Sequence, residues 1–150
     1  MDAVTYPETT VKRFVLEHFI PLMVPFDAKP LSRDFNIKWT PTLITLGSDR
    51  REHHRTVGFL DPDGFVANGL LGIGKYHFDN SRYREAVASF EEALTLQPEG
   101  NCAAEAIFLK GVSLYKISGD RKPLKEVYET LQQRFPDSEW AGKAEPYRQF

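Results

Sequence analysis

The sequence predicts a mixed fold class, an α/β first part followed by an all-α second part, with the switch near residue 61. Three observations predict it. The apolar, β-branched run "TLITL" (42–46) and the run "EHHRTVGFL" (52–60) flank the polar turn "GSDRRE". From Asp61 onward every strong pattern has helical spacing. The 150 residues are 41% hydrophobic and 13% aromatic, enough for a core in one ordinary domain or two small ones.

Taken in order, Pro7 to Phe19 reads as a helix, with Pro7 in the first turn and Val11, Phe14, Val15 and Phe19 on one face. "IPLMVPFD" (20–27) reads as a strand, confined to an edge because Pro21 and Pro25 cannot donate to a ladder. "PLSRDFNI" (30–37) is a short helix or helical turn. "TLITL" lacks alternation, as expected of a strand buried on both faces, and 52–60 completes a β-hairpin with it. The expected sheet therefore has three strands, 20–26, 42–47 and 53–59. Asp61-Pro62-Asp63-Gly64 then starts a helix with Asp61 as N-cap. Val66, Leu70, Ile73 and His77 mark that helix, and Tyr83 to Leu94 a second, closing at Pro98. Further helices span about 103–117, 123–135 and 138–144.

Composition excludes several classes. A net charge of −2, with no block of one sign, does not suit a nucleic-acid binder. No apolar run reaches the roughly 18 residues of a membrane span, and "MDAVTYPETT" lacks the basic start and apolar stretch of a signal peptide. A cytoplasmic location is expected. Cys102 is alone, so it can close no internal disulfide.

"GLLGIGKY" (69–76) comes close to a phosphate-cradling loop, Gly69-x-x-x-x-Gly74-Lys75. That loop needs a preceding strand and a following Ser or Thr for magnesium. Here the stretch lies two turns into a helix and Tyr76 follows the lysine. It reads as a helix-packing surface in which Gly74 faces Ala86. No nucleotide or other cofactor is expected.

The second half resembles the tetratricopeptide repeat, whose pattern is W-x2-L-G-x2-Y…A-x3-F…P. Leu70, Ile73, Gly74 and His77, then Ala86, Phe90 and Pro98, stand at those positions. A second copy reads Ile107, Lys110, Gly111 and Leu114, then Leu124, Tyr128 and Pro136, and 138–144 resembles a capping helix. The resemblance implies a concave groove on the first helix of each pair, lined by Leu71, Lys75, Phe78, Phe108, Val112 and Tyr115. That groove is aromatic and mostly uncharged, which favours an apolar protein or peptide partner.

The first half resembles the C-terminal part of a thioredoxin fold. Ile37, then Thr40-Pro41-Thr42, a strand, a polar hairpin and Val57-Gly58 carry the likeness, and residues 1–27 resemble the preceding stretch in bacterial thioredoxin-like proteins. The resemblance implies a cis bond before Pro41 and makes Thr40-Pro41 a loop able to meet an extended partner. The family's first strands and Cys-x-x-Cys helix are absent from the sequence, and exchange needs a second sulfur. The two likenesses divide the chain into a partial thioredoxin-like domain (1–66) and two repeat units with a capping helix (67–150). The function expected is a redox-inactive, non-enzymatic adaptor; the alternative is the C-terminal part of a thiol–disulfide oxidoreductase whose Cys-x-x-Cys lies upstream. Missing strands also leave sheet edges open to self-association.

Other residues have plainer readings. Glu52, His53 and His54 suit a solvated hairpin rim, since adjacent strand residues point to opposite faces and cannot share a metal ion. His18 and His77 suit core or boundary positions; Trp39 suits packing, with contact to a partner as the alternative, and Cys102 a small core hydrophobe, with a reactive thiol as the alternative.

Overall fold

A computed structural model describes all residues, 1–150. In chain order they form α1 (Thr9–His18), α2 (Leu31–Asp34), β1 (Thr42–Leu46), β2 (Glu52–Val57), α3 (Pro62–Asp79), α4 (Tyr83–Leu96), α5 (Ala103–Ser118), α6 (Lys122–Arg134) and α7 (Glu139–Ala144). A 3-10 turn, Glu145–Gln149, ends the chain. The order is the mixed one expected, a hairpin region followed by helices only.

Helix α3 packs against α1, both strands, α4 and α5. The Asp61 carboxylate caps it, accepting from the Gly64 N–H at 2.7 Å, with Pro62 in the first turn. Its glycines face three different neighbours. A Cβ on Gly69 would stand 2.5 Å from the Phe14 ring of α1, and one on Gly72 2.5 Å from the Thr45 hydroxyl of β1. A Cβ on Gly74 would collide with the Phe90 ring of α4. Each glycine costs a helix about 1 kcal/mol relative to alanine, and close approach on three sides offsets it. The phosphate-loop spacing is thus a packing surface inside a helix. The expected partner of Gly74 is corrected, however. Ala86 is buried in the same core, but the group that needs the missing side chain is Phe90.

The second hairpin repeats this construction. A Cβ on Gly111 of α5 would collide with Val127 of α6 and lie 3.2 Å from the Pro123 carbonyl. Phe90 and Val127 each come sixteen residues after their glycine (90 − 74 and 127 − 111). The match of Tyr128 to Phe90 is therefore one residue out, because Val127 is buried and Tyr128 half-buried. Ser138 caps α7, accepting from the Ala141 N–H at 3.1 Å, and Ala141 and Ala144 pack into the core beside Leu131.

The sheet has two antiparallel strands, not three. Thr42 pairs with Val57 and Ile44 with Arg55. Residues 20–27 form no strand: Ile20 is 99% exposed, and Leu22, Met23 and Phe26 are also exposed. Two prolines without N–H groups, and no neighbouring strand to pair with, leave this apolar run without a ladder. Strand β1 is half-buried from Thr42 to Thr45 and exposed at Leu46, rather than buried on both faces, with α3 meeting it at Thr45. The peptide bonds before Pro30 and Pro41 are cis, the second as the thioredoxin likeness implies.

Candidate functional site: the inner helix faces and a polar network beneath the hairpin

The six residues expected to line one groove occupy three kinds of environment. Leu71 is fully buried, packed with Ala67, Ala86, Phe90, Cys102 and Ala106. It belongs to the core and is corrected as a partner-facing residue, since α3 and α5 approach closely enough to enclose it. Lys75 is three-quarters buried, and its Nζ donates to Glu105 Oε1 of α5 at 2.6 Å. Phe78 meets the Tyr83 ring edge-on, with centroids 5.6 Å apart. Phe108 packs instead against Trp140 (5.2 Å) and Tyr147 (5.7 Å). Phe78 and Phe108 thus join separate clusters, and the chain's C-terminal segment covers the second. Val112 and Tyr115 remain half-buried along α5. Thr40 is exposed and Pro41 half-buried at the start of β1.

Beneath the hairpin lies a polar network that strand alternation alone does not anticipate. His53 and His54 were expected on a solvated rim; His53 is 5% exposed and His54 half-buried. The cause is a bulge. Thr45 pairs with His54 and Leu46 with Glu52, which leaves His53 as the extra residue on β2. A bulge breaks the alternation, so both imidazoles reach α3. His53 Nδ1 stands 2.6 Å from Asp79 Oδ2, and since a carboxylate only accepts, Nδ1 carries the proton. Its Nε2 is buried and meets no hydrogen-bonding group, while the Tyr76 ring packs edge-on against the imidazole. Gly47 makes room for it, as a Cβ there would stand 2.9 Å from Nε2.

His54 Nε2 lies 2.9 Å from the Thr56 hydroxyl, which donates to Asn68 Oδ1 at 3.1 Å. Asn68 Nδ2 donates to the Gly64 carbonyl (2.8 Å) and to Asn101 Oδ1 (2.9 Å), so its amide is well satisfied although buried. Burial holds His54 below its ordinary value, and the Lys75 ammonium adds to this; Glu105, Asn68 and Glu52 oppose it. Sequence offered one signal for the network: Asn68 is a polar residue flanked on its helix by the buried Ala67, Leu70 and Leu71.

The remaining candidates separate cleanly. Cys102 is buried in the helical core, and burial pushes its thiol up to about 11, as suits a small hydrophobe. His77 is half-buried and held low by desolvation and by Arg82. His18 is exposed at the end of α1, touching only the Phe14 ring among aromatic groups, so the core-or-boundary reading is corrected. Trp39 is 74% exposed, so the packing reading is corrected and the reading as an aromatic open to a partner stands untested. No group of three or more His, Cys, Asp or Glu side chains is placed to hold a metal ion. No helix is long and apolar enough to cross a membrane. In comparisons with known proteins, the chain matches no family model, no curated protein and no solved structure.

Proposed function

We propose that the chain is a non-catalytic protein–protein interaction module, an adaptor that takes an apolar peptide segment against the inner faces of its helical hairpins. The observation that carries the reading is the like construction of the two hairpins, each closed by a glycine against a side chain sixteen residues on (90 − 74 and 127 − 111). Stacked units of one design expose corresponding helix faces side by side, which is how helical repeats make extended binding surfaces. With Leu71 enclosed and Phe108 beneath Trp140, the usable part of that face is Phe78, Val112 and Tyr115. Lys75 serves the α3–α5 contact. Fluorescence polarisation with a panel of extended apolar peptides tests this. Binding should fall about tenfold with Tyr115→Glu, at unchanged helical content, because a carboxylate in an apolar contact is left without a partner. Insulin reduction should stay at background. Loss of no affinity in that variant removes the groove.

A second reading is the C-terminal part of a thiol–disulfide oxidoreductase. The succession Thr40-Pro41-Thr42, antiparallel hairpin, helix packed on one hairpin face is what favours it. An in-frame Cys-x-x-Cys in the coding sequence ahead of Met1 would decide for it.

A further inference from the structure

The stripe Phe108, Val112, Tyr115 is not open along its whole length. Spacings of four and three put these residues on one face of α5, and a later segment of the chain sits on the first of them. The Tyr147 ring stacks on Phe108 at 23°, with centroids 5.7 Å apart, and the Phe150 ring stacks on Tyr147 at 24° and 6.0 Å. Phe150 in turn meets the Arg121 guanidinium, 4.8 Å from the ring centroid. Arg121 stands three residues beyond the last residue of α5, Ser118 (121 − 118), so this row of stacked groups runs in the same sense as the stripe. Trp140 of α7 closes one side of Phe108, with centroids 5.2 Å apart.

Little besides those rings holds Glu145–Phe150 in place. Tyr147 and Phe150 are half-buried, and the other four residues of the segment are exposed. Its ion pair, between Arg148 and Glu145, is internal to it. Of its side chains only Glu145 hydrogen-bonds beyond the segment, where Oε2 accepts from Gln132 Nε2 at 3.4 Å. The buried residues that close this end of the helical core belong to α7, in Ala141 and Ala144, with Tyr147 packed at the margin of the same cluster.

We propose that Glu145–Phe150 is an internal ligand of the α5 face, holding the seat of a partner peptide that carries two aromatic residues three positions apart. The inference rests on the groove reading above, and it names the chemistry of the partner and what restrains its binding. The partner's first ring stacks on Phe108 beside Trp140, and its second takes the Arg121 guanidinium in a cation–π contact. A segment tethered this closely competes at an effective concentration in the millimolar range. A seat it fills about nine-tenths of the time raises the apparent Kd of a free peptide about tenfold.

The probe is the hexapeptide Glu-Pro-Tyr-Arg-Gln-Phe itself, amidated, labelled at its N-terminus and followed by fluorescence polarisation with the full chain. Tyr147→Ala/Phe150→Ala should bind it about tenfold more tightly than wild type, at unchanged helical circular dichroism. Phe150→Ala alone removes one half-buried ring outside the core, and should gain roughly threefold. The hexapeptide with both aromatic residues replaced by alanine should bind none of the three proteins. Equal affinity in all three overturns the inference. So does a double variant whose Tm falls with no gain in affinity, as a plain structural cap requires, and so does a probe that binds none of them. Panel peptides that bind wild type and are lost in Tyr115→Glu, with no gain in the double variant, leave the groove standing and remove the internal ligand alone. Failure of the panel and the hexapeptide together removes both.

Discussion

The two halves of this chain hold nearly the same density of apolar residues but use them in opposite ways. Of the 27 buried residues only five, Thr5, Val11, Phe14, His53 and Leu60, precede α3. Of the 14 exposed large hydrophobics, twelve precede it. The core therefore belongs to the helices, and the first sixty residues are fastened to it at a few points. Those points include Tyr6 on Phe65, α1 through Phe14 on Gly69, β1 through Thr45 on Gly72, and β2 through its histidines. Helical hairpins close locally, each helix burying its stripe against the next in sequence. A two-stranded hairpin has no such local solution and depends on contacts distant in sequence, as Thr45 does on Gly72.

Breaking the helical half should therefore cost most. Gly74→Leu drives a branched side chain into the Phe90 ring at the centre of the α3–α4 contact. Overpacking of that kind costs about 1–3 kcal/mol or somewhat more, which lowers Tm by about 2–4 °C per kcal/mol in a chain of this size. Calorimetry showing an unchanged Tm would remove Gly74 as a closing contact. Cutting the fastening should cost less and act locally. Asp79→Ala deletes the acceptor of the His53 Nδ1 proton and leaves both ring nitrogens of a buried imidazole unpartnered. The penalty for such a group is about 1–3 kcal/mol. Amide exchange should accelerate across β1 and β2 but not in α4 to α6. Acceleration throughout the chain would mean that the halves unfold as one unit.

The same contrast explains what could be read from sequence. Every helix from α3 to α7 was legible to within about two residues, because helical spacing and caps such as Asp61 and Ser138 are written locally. The hairpin was legible too, from two runs and a polar turn. Run 20–27 misled because it has the composition of a strand, while strand formation requires a neighbour, which composition cannot supply. His53 and His54 misled because a bulge is a property of pairing and reverses the alternation rule. Gly74 and Gly111 were recognisable as close-approach positions, but their partners depend on how two helices cross. The groove residues fared least well. The tetratricopeptide resemblance implied one face for Leu71, Lys75 and Phe78, and only the position of α5 decided that the first is enclosed and the second paired.

The entry to α3 is where the halves meet in sequence, and its cap offers a milder test. Asp61→Ala removes the acceptor for the Gly64 N–H, at an expected cost of about 1 kcal/mol. Asp61→Asn keeps an acceptor and should recover most of that in urea denaturation. Equal losses in both variants would point to the charge at the helix N-terminus rather than the hydrogen bond.

The smallest expected effect is also the most direct measure of coupling between the halves. His54 is on the hairpin, Lys75 on α3 and Glu105 on α5, and each influences the next. His54 sits below its ordinary value through burial first and the Lys75 ammonium second, with Glu105 pulling the other way. Lys75→Met removes the ammonium and leaves Glu105 unneutralised, so the His54 value should rise. Glu105→Gln should lower it further. Both shifts can be followed by NMR titration of the imidazole. The sign carries through to stability. A histidine held low in the folded state is protonated first in the unfolded chain, so stability falls as pH drops from the ordinary value of 6.5 toward the folded one. Lys75→Met should narrow that window and Glu105→Gln widen it. If neither variant moves His54, the ion pair and the imidazole are electrostatically separate, and Lys75 is free to be counted again with the groove rather than with the network that joins the two halves.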